Sequence, residues 1–123
     1  MNPKHAEAFA RLTEMYRRVA EGCPTKKDTE TDLIFVGPEP GPDGEEVWLG
    51  GVQWKKRYVS VHLMPVYVHP PLLDGISDAL RKRMQGKSCF NFTKVDEPLF
   101  EELEALARAG LAHFRETGRL PAA

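Results

Sequence analysis

From Val59 to Leu63 the chain alternates without a break: Val59, Val61 and Leu63 are apolar, and Ser60 and His62 between them are polar. Successive side chains of a strand leave opposite faces, so this alternation describes a strand buried on one side only. Extended to Tyr58–Met64, the pattern predicts Val59, Val61 and Leu63 in the core and Tyr58, Ser60, His62 and Met64 on the other face. Such a strand requires a sheet with one covered face and one open face.

Neighbouring segments supply the rest of the sheet. Val47 to Trp54 reads as a strand joined to the first through the Lys55-Lys56 turn, the short link of a hairpin. Gly50 and Gly51 interrupt its pattern, and paired glycines inside a strand point to a bulge or to close approach by another group. Trp48 and Trp54 are expected on the side of Val52. Leu33 to Val36 reads as a short strand, residues 24–31 as a polar loop, and Gly37 to Gly44 (GPEPGPDG) as an exposed loop. Ser88 to Thr93 reads as a strand with Phe90 and Phe92 on one face and Cys89, Asn91 and Thr93 on the other.

Three helices complete the pattern. The first spans Pro3 to Ala20, with Phe9, Leu12, Tyr16 and Val19 at helical spacing, and Gly22 and Pro24 stopping it. Its outer face offers Glu7 with Arg11 and Glu14 with Arg18 as i,i+4 pairs. The second spans about Leu72 to Met84, with Leu73, Ile76, Leu80 and Met84 inward and Gly86 as its cap. The third starts at Asp96 as N-cap, buries Leu99, Leu103, Leu106, Gly110 and Phe114, and fades near Gly118. The predicted order is α-β-β-β-α-β-α. The predicted fold class is α+β, a single mainly antiparallel β-sheet with helices packed on one face, spanning residues 1–123 as one domain.

A chain of 123 residues buries roughly two-thirds of its unfolded surface, so it needs neither disulfide nor metal to fold. The two cysteines, Cys23 and Cys89, stand in no pair motif and read as reduced thiols of a cytoplasmic protein. Met1 to Ala10 lacks the apolar core of a signal peptide, and no apolar run approaches the ~18 residues that cross a bilayer. No membrane partner is therefore expected.

Charge is unevenly spread. Residues 1–53 carry a net −4, residues 54–94 a net +6 and residues 95–123 a net −3. The middle segment is the electropositive part, suited to an anionic partner unless acidic helices from the two ends pack beside it and balance it, which is the reading we favour here. The cluster Arg81, Lys82, Arg83 and Lys87 fits a helix C-terminus, where the dipole favours cations. A sequence pI near 6.4 argues against nucleic acid as partner. Gly86-Lys87-Ser88 resembles the end of a phosphate loop, but Arg81 stands where the motif needs glycine.

Chemistry concentrates on the polar row. If the strands of His62 and Cys89 are neighbours, His62, Cys89 and Asn91 share one surface with Ser60 and Tyr58, a residue set able to build a nucleophilic site. With Arg83 and Lys87 from the basic segment, these seven are the ligand-binding candidates; none is assigned a catalytic role. Glu97, Glu101 and Glu104 share one helix face and could hold a hard cation weakly, although acidic first turns are also what the dipole favours.

Two stretches resemble a known family. Gly50 to Tyr67 (GGVQWKKRYVSVHLMPVY) is similar to the paired strands of the YdhG-like domain found in many bacterial proteins. Gly86 to Leu99 (GKSCFNFTKVDEPL) is similar to its closing strand and the start of its last helix. The resemblance implies helices on an antiparallel sheet and brings no catalytic site. One branch of the family is linked to frataxin-like handling of iron, which implies iron as a cofactor or cargo. Frataxins use an acidic ridge, and here Glu7, Glu14 and Glu21 stand seven residues apart, about 10 Å each by helix rise, interleaved with arginines. No iron ligands are carried over. The expectation is a non-enzymatic binding module for a small anionic ligand or a protein partner, with an iron-binding protein and a thiol enzyme using Cys89 and His62 as alternatives.

Overall fold

The computed structural model describes residues 2–121. Helix α1 runs Pro3–Val19, with the Asn2 side chain accepting from the Lys4 N–H at its start. Strands β1 (Thr25–Asp28), β2 (Asp32–Val36), β3 (Trp48–Trp54) and β4 (Val59–Leu63) follow. Short helix α2 (Met64–Val68), a 3-10 turn over Pro70–Leu73 and helix α3 (Asp78–Arg81) lead to β5 (Met84–Gln85), β6 (Cys89–Phe92) and the long α4 (Glu97–Glu116). The six strands form one sheet in the order β1-β2-β3-β4-β6-β5, every neighbouring pair antiparallel. The α+β class and the covered and open faces are as the alternation predicts.

Val59, Val61 and Leu63 of β4 and Phe90 and Phe92 of β6 are buried under the helices. They meet Leu12, Met15 and Tyr16 of α1 and Leu103, Leu106 and Phe114 of α4 in one core. Asp96 caps α4 by accepting from the Leu99 N–H, and Gly110 lets α4 pass close to Pro65 of α2.

Several expectations are corrected. Residues 25–28 are a strand, not a loop. β1 is exposed along its length and carries no apolar alternation. Ion pairs hold it instead: Arg17 grips Asp28 through both guanidinium nitrogens, and Lys26 meets Glu46. The continuous helix over 72–84 is replaced by the 3-10 turn, a break at Gly75, and one turn of α3 started by the Ser77 hydroxyl on the Leu80 N–H. Met84 is therefore in β5, and Gly86, with φ +74°, turns the β5–β6 link rather than capping a helix. Trp48 does not share the side of Val52. The β2–β3 register slips between Gly50 and Trp48, so Leu49 is the extra residue of a bulge; it points inward, and Trp48 is flipped out to 41% exposure. Trp54, beyond the bulge, keeps the inner side and packs on Phe9.

The charge pattern is also corrected. Arg11 and Arg18 of α1 pair with Glu97 and Glu104 of α4 rather than with Glu7 and Glu14, clamping the two helices together. Arg108 joins Glu104. The acidic helix thus spends these carboxylates on cations outside the basic segment. Among the described residues, none of the eight lysines and arginines of 54–94 lies within 4.0 Å of a carboxylate oxygen. The end helices do not neutralise the middle of the chain by ion pairing.

Candidate functional site

The site lies on the sheet face away from the helices. Register places Ser60 opposite Asn91 and His62 opposite Cys89, with Gln85 opposite Cys89 on the far side. Asp32 and Gln53 are paired across β2 and β3, and the Gln53 amide donates to the Asp32 carboxylate at 2.8 Å. The polar row is continuous across four strands, as the period-two reading requires.

The predicted residues separate into two groups along this face. The first is built around His62. Its Nδ1 lies 3.5 Å from Cys89 Sγ and its Nε2 3.4 Å from the buried Ser88 hydroxyl, so both ring nitrogens face protein groups. Burial lowers the His62 pKa and keeps the imidazole neutral. A reactive thiolate is stabilised by a neighbouring cation, and an imidazolium is the form this burial disfavours. Asn91 takes no part in the pair, because its amide nitrogen donates to Gln85 Oε1. The Cys89–His62 contact therefore exists, and the three-residue relay does not.

The second group surrounds a cleft of about 370 Å³ lined by Arg57, Tyr58, Lys82, Arg83, Met84, Gln85, Asn91 and Thr93. It combines the end of the β3–β4 turn with the segment leaving α3. Three of its lining residues are cations and none is a carboxylate. Arg57, Lys82 and Arg83 are exposed. Asn91 Oδ1 is buried with no hydrogen-bond partner, a group that natural structures rarely leave unsatisfied. Turning both the Asn91 and Gln85 amides over keeps their mutual bond and replaces the orphan acceptor with an N–H donor.

Tyr58, Arg83 and Asn91 thus belong to the basic cleft. Ser60, His62 and Cys89 form the adjoining stretch of sheet, and Lys87 is exposed in the β5–β6 turn. Sequence reasoning missed Arg57 and Lys82 as lining residues. The signal available was the charge excess of 54–94, which the helix-end argument had absorbed. A second depression of about 210 Å³, over Gly51, was also missed. Its trace in the sequence was the Gly50-Gly51 pair.

Of the carboxylates considered for a cation, Glu97 and Glu104 meet arginines and Glu101 is exposed on α4. Among the described residues, no group of three or more His, Cys, Asp and Glu side chains is placed to hold a metal ion. No helix of the described residues is long and apolar enough to cross a membrane. Compared with models of protein families, with curated proteins and with solved structures, the chain matches none.

Proposed function

We propose that the protein is a non-enzymatic binding module for a small anionic ligand, held in the cleft between the β3–β4 turn and the segment that follows α3. The kinship with YdhG-like domains belongs to the same proposal, supported by the helix-on-sheet architecture. The observation that carries the reading is the company its cations keep. Elsewhere, Arg11, Arg17, Arg18, Lys26, Lys27 and Arg108 meet carboxylates. Arg57, Lys82 and Arg83 converge on one cleft and meet none. Like charges gathered without compensation repel one another, and an anion between them relieves that repulsion. Arginine presents a planar fork suited to phosphate and carboxylate oxygens. Tyr58 and Asn91 line the same cleft as neutral polar residues.

Titration calorimetry with inorganic diphosphate and with citrate tests the proposal. Saturable binding that weakens as salt rises is expected, since the attraction is between exposed charges. Arg83→Ala should weaken it by about tenfold, the equivalent of the ~1.5 kcal/mol that a charge-assisted hydrogen bond contributes. A triple Arg57→Ala, Lys82→Ala, Arg83→Ala variant should abolish it without changing the unfolding midpoint by much, because all three side chains are exposed. No heat from either anion at low salt, or equal binding by the triple variant, sinks the reading.

A further inference from the structure

The depression over Gly51 is chemically unlike the basic cleft. Ile34, Trp48, Gly50, Gly51, Gln53, His62 and Met64 line it, and none of them bears a formal charge at neutral pH once His62 is held neutral by burial. Its floor is backbone. Gly51 has no side chain because a Cβ there would collide with the carbonyl of Leu33 on the neighbouring strand, and a flat, unobstructed floor is the consequence. Its walls are the Trp48 indole, turned onto this face by the bulge, the Met64 thioether and Ile34. Thioethers and indoles both favour contact with aromatic rings.

Polar groups are few and their roles are assigned by what they already bond. One Gln53 N–H is spent on Asp32, and Gln53 Oε1 is left as a free acceptor. Both His62 nitrogens face Ser88 and Cys89. Gln53 Oε1 is therefore the acceptor the groove presents to a ligand, beside donors in the second Gln53 N–H and the Trp48 indole N–H. At about 210 Å³ it exceeds the ~150 Å³ that accommodates benzene and matches a two-ring system. Concave, mostly apolar depressions with a few convergent polar groups are the usual form of small-molecule sites.

We infer that this groove is a binding site for a neutral, planar, two-ring heteroaromatic group carrying a ring N–H, seated flat on Gly51 between Trp48 and Met64. The inference does not depend on the anion cleft, which is lined by other residues. Trp48 and Met64 also border a larger cavity of about 470 Å³, so a substituent on the ring has room to leave the groove on that side.

Indole is the probe, followed by two-dimensional amide and indole N–H spectra of the full chain. Expected are saturable shifts at Gly50, Gly51 and the Trp48 indole N–H, with little change at Trp54 on the covered face, and a Kd on the order of millimolar or tighter for so few atoms. Trp48→Ala should weaken binding about tenfold, as expected where an aromatic anchor is removed. Ile34→Lys, on the open face and outside the core, should do the same by placing an ammonium in an uncharged groove, and serves if the tryptophan variant folds poorly. Indole-3-acetate should bind more weakly than indole. Non-saturating shifts scattered over the surface, unchanged binding by a folded Trp48→Ala or Ile34→Lys variant, or tighter binding of the carboxylate would each overturn the inference.

Discussion

Gly50 is wedged between Tyr16 of the first helix and the carbonyl of His62. The Tyr16 hydroxyl donates to the Leu49 carbonyl at 3.0 Å and lies 3.2 Å from the His62 carbonyl, so a helix side chain is fixed to two strands at the bulge. Gly50 takes a φ of +120°, which L-residues rarely adopt, and a Cβ there would strike the His62 carbonyl and crowd the Tyr16 hydroxyl. Two substitutions separate these effects. Tyr16→Phe keeps the packed ring and removes one buried hydroxyl, and should cost about 1–2 kcal/mol in urea unfolding. Gly50→Ala adds both backbone strain and collision, and should cost more than Tyr16→Phe, about 3 kcal/mol or above. Equal or reversed costs would mean that the bulge relaxes around a side chain, and the account of Trp48 being turned outward would fail with it.

At the scale of elements, α4 meets α2 through contact between Gly110 and Pro65. A Cβ on Gly110 would come within 2.8 Å of Pro65 Cβ, and the proline ring has no rotamer to yield with. Alanine normally stabilises a helix interior by about 1 kcal/mol over glycine. Here Gly110→Ala should instead destabilise by roughly 1–3 kcal/mol, the usual cost of overpacking. A gain in thermal midpoint would show that α2 is free to shift. The same elements show what could be read from the chain. The strands of Val59–Leu63 and Cys89–Phe92 were legible because each buries one face, so that polarity alternates with residue number. The start of α4 was legible because Asp96 and Pro98 are local signals. Thr25–Asp28 left no such trace: it is an edge strand exposed along its length, held by Arg17, Glu46 and backbone pairing with β2, none of which imposes an apolar pattern on its residues. Leu73, Ile76, Leu80 and Met84 have helical spacing, yet Gly75 and the Ser77 cap split them: Leu73 ends a 3-10 turn, Ile76 lies in the link, Leu80 is in a helical turn and Met84 in a strand. The site divided in the same way. The row of Ser60, His62, Cys89 and Asn91 follows from alternation, whereas the cleft needs Arg57 and Lys82 to meet across a loop, which periodicity does not encode.

Across the whole molecule, the shifted titrations combine into a stability profile with two shoulders. On the acid side, the folded chain binds protons less readily than the unfolded one. Burial lowers the pKa of His62; the Arg17 guanidinium lowers that of Asp28; hydrogen bonds from Gln53 and Thr31 lower that of Asp32; Arg18 lowers that of Glu104. Each contribution is present above the group's unfolded pKa and is lost as pH falls, so the decline begins below about 6.5 with His62 and steepens below about 4 with the carboxylates. On the alkaline side the sign reverses. Burial raises the pKa of the Cys23 thiol and of Tyr16, so the folded state keeps protons that the unfolded chain gives up. Those contributions are intact at neutral pH and fade as pH rises past about 8.5 for the thiol and about 10 for the phenol. Urea midpoints measured from pH 3 to pH 11 should therefore form a plateau between roughly 6.5 and 8.5 that falls on both sides. His62→Gln should flatten the shoulder nearest neutrality on the acid side and leave the carboxylate region unchanged. Tyr16→Phe should lower the plateau yet remove the most alkaline part of the decline, because its ring has no proton to lose. A midpoint that climbs steadily from acid to alkali, or a Tyr16→Phe profile parallel to that of the parent at high pH, would contradict the burial of these groups on which the placement of α1 against the bulge depends.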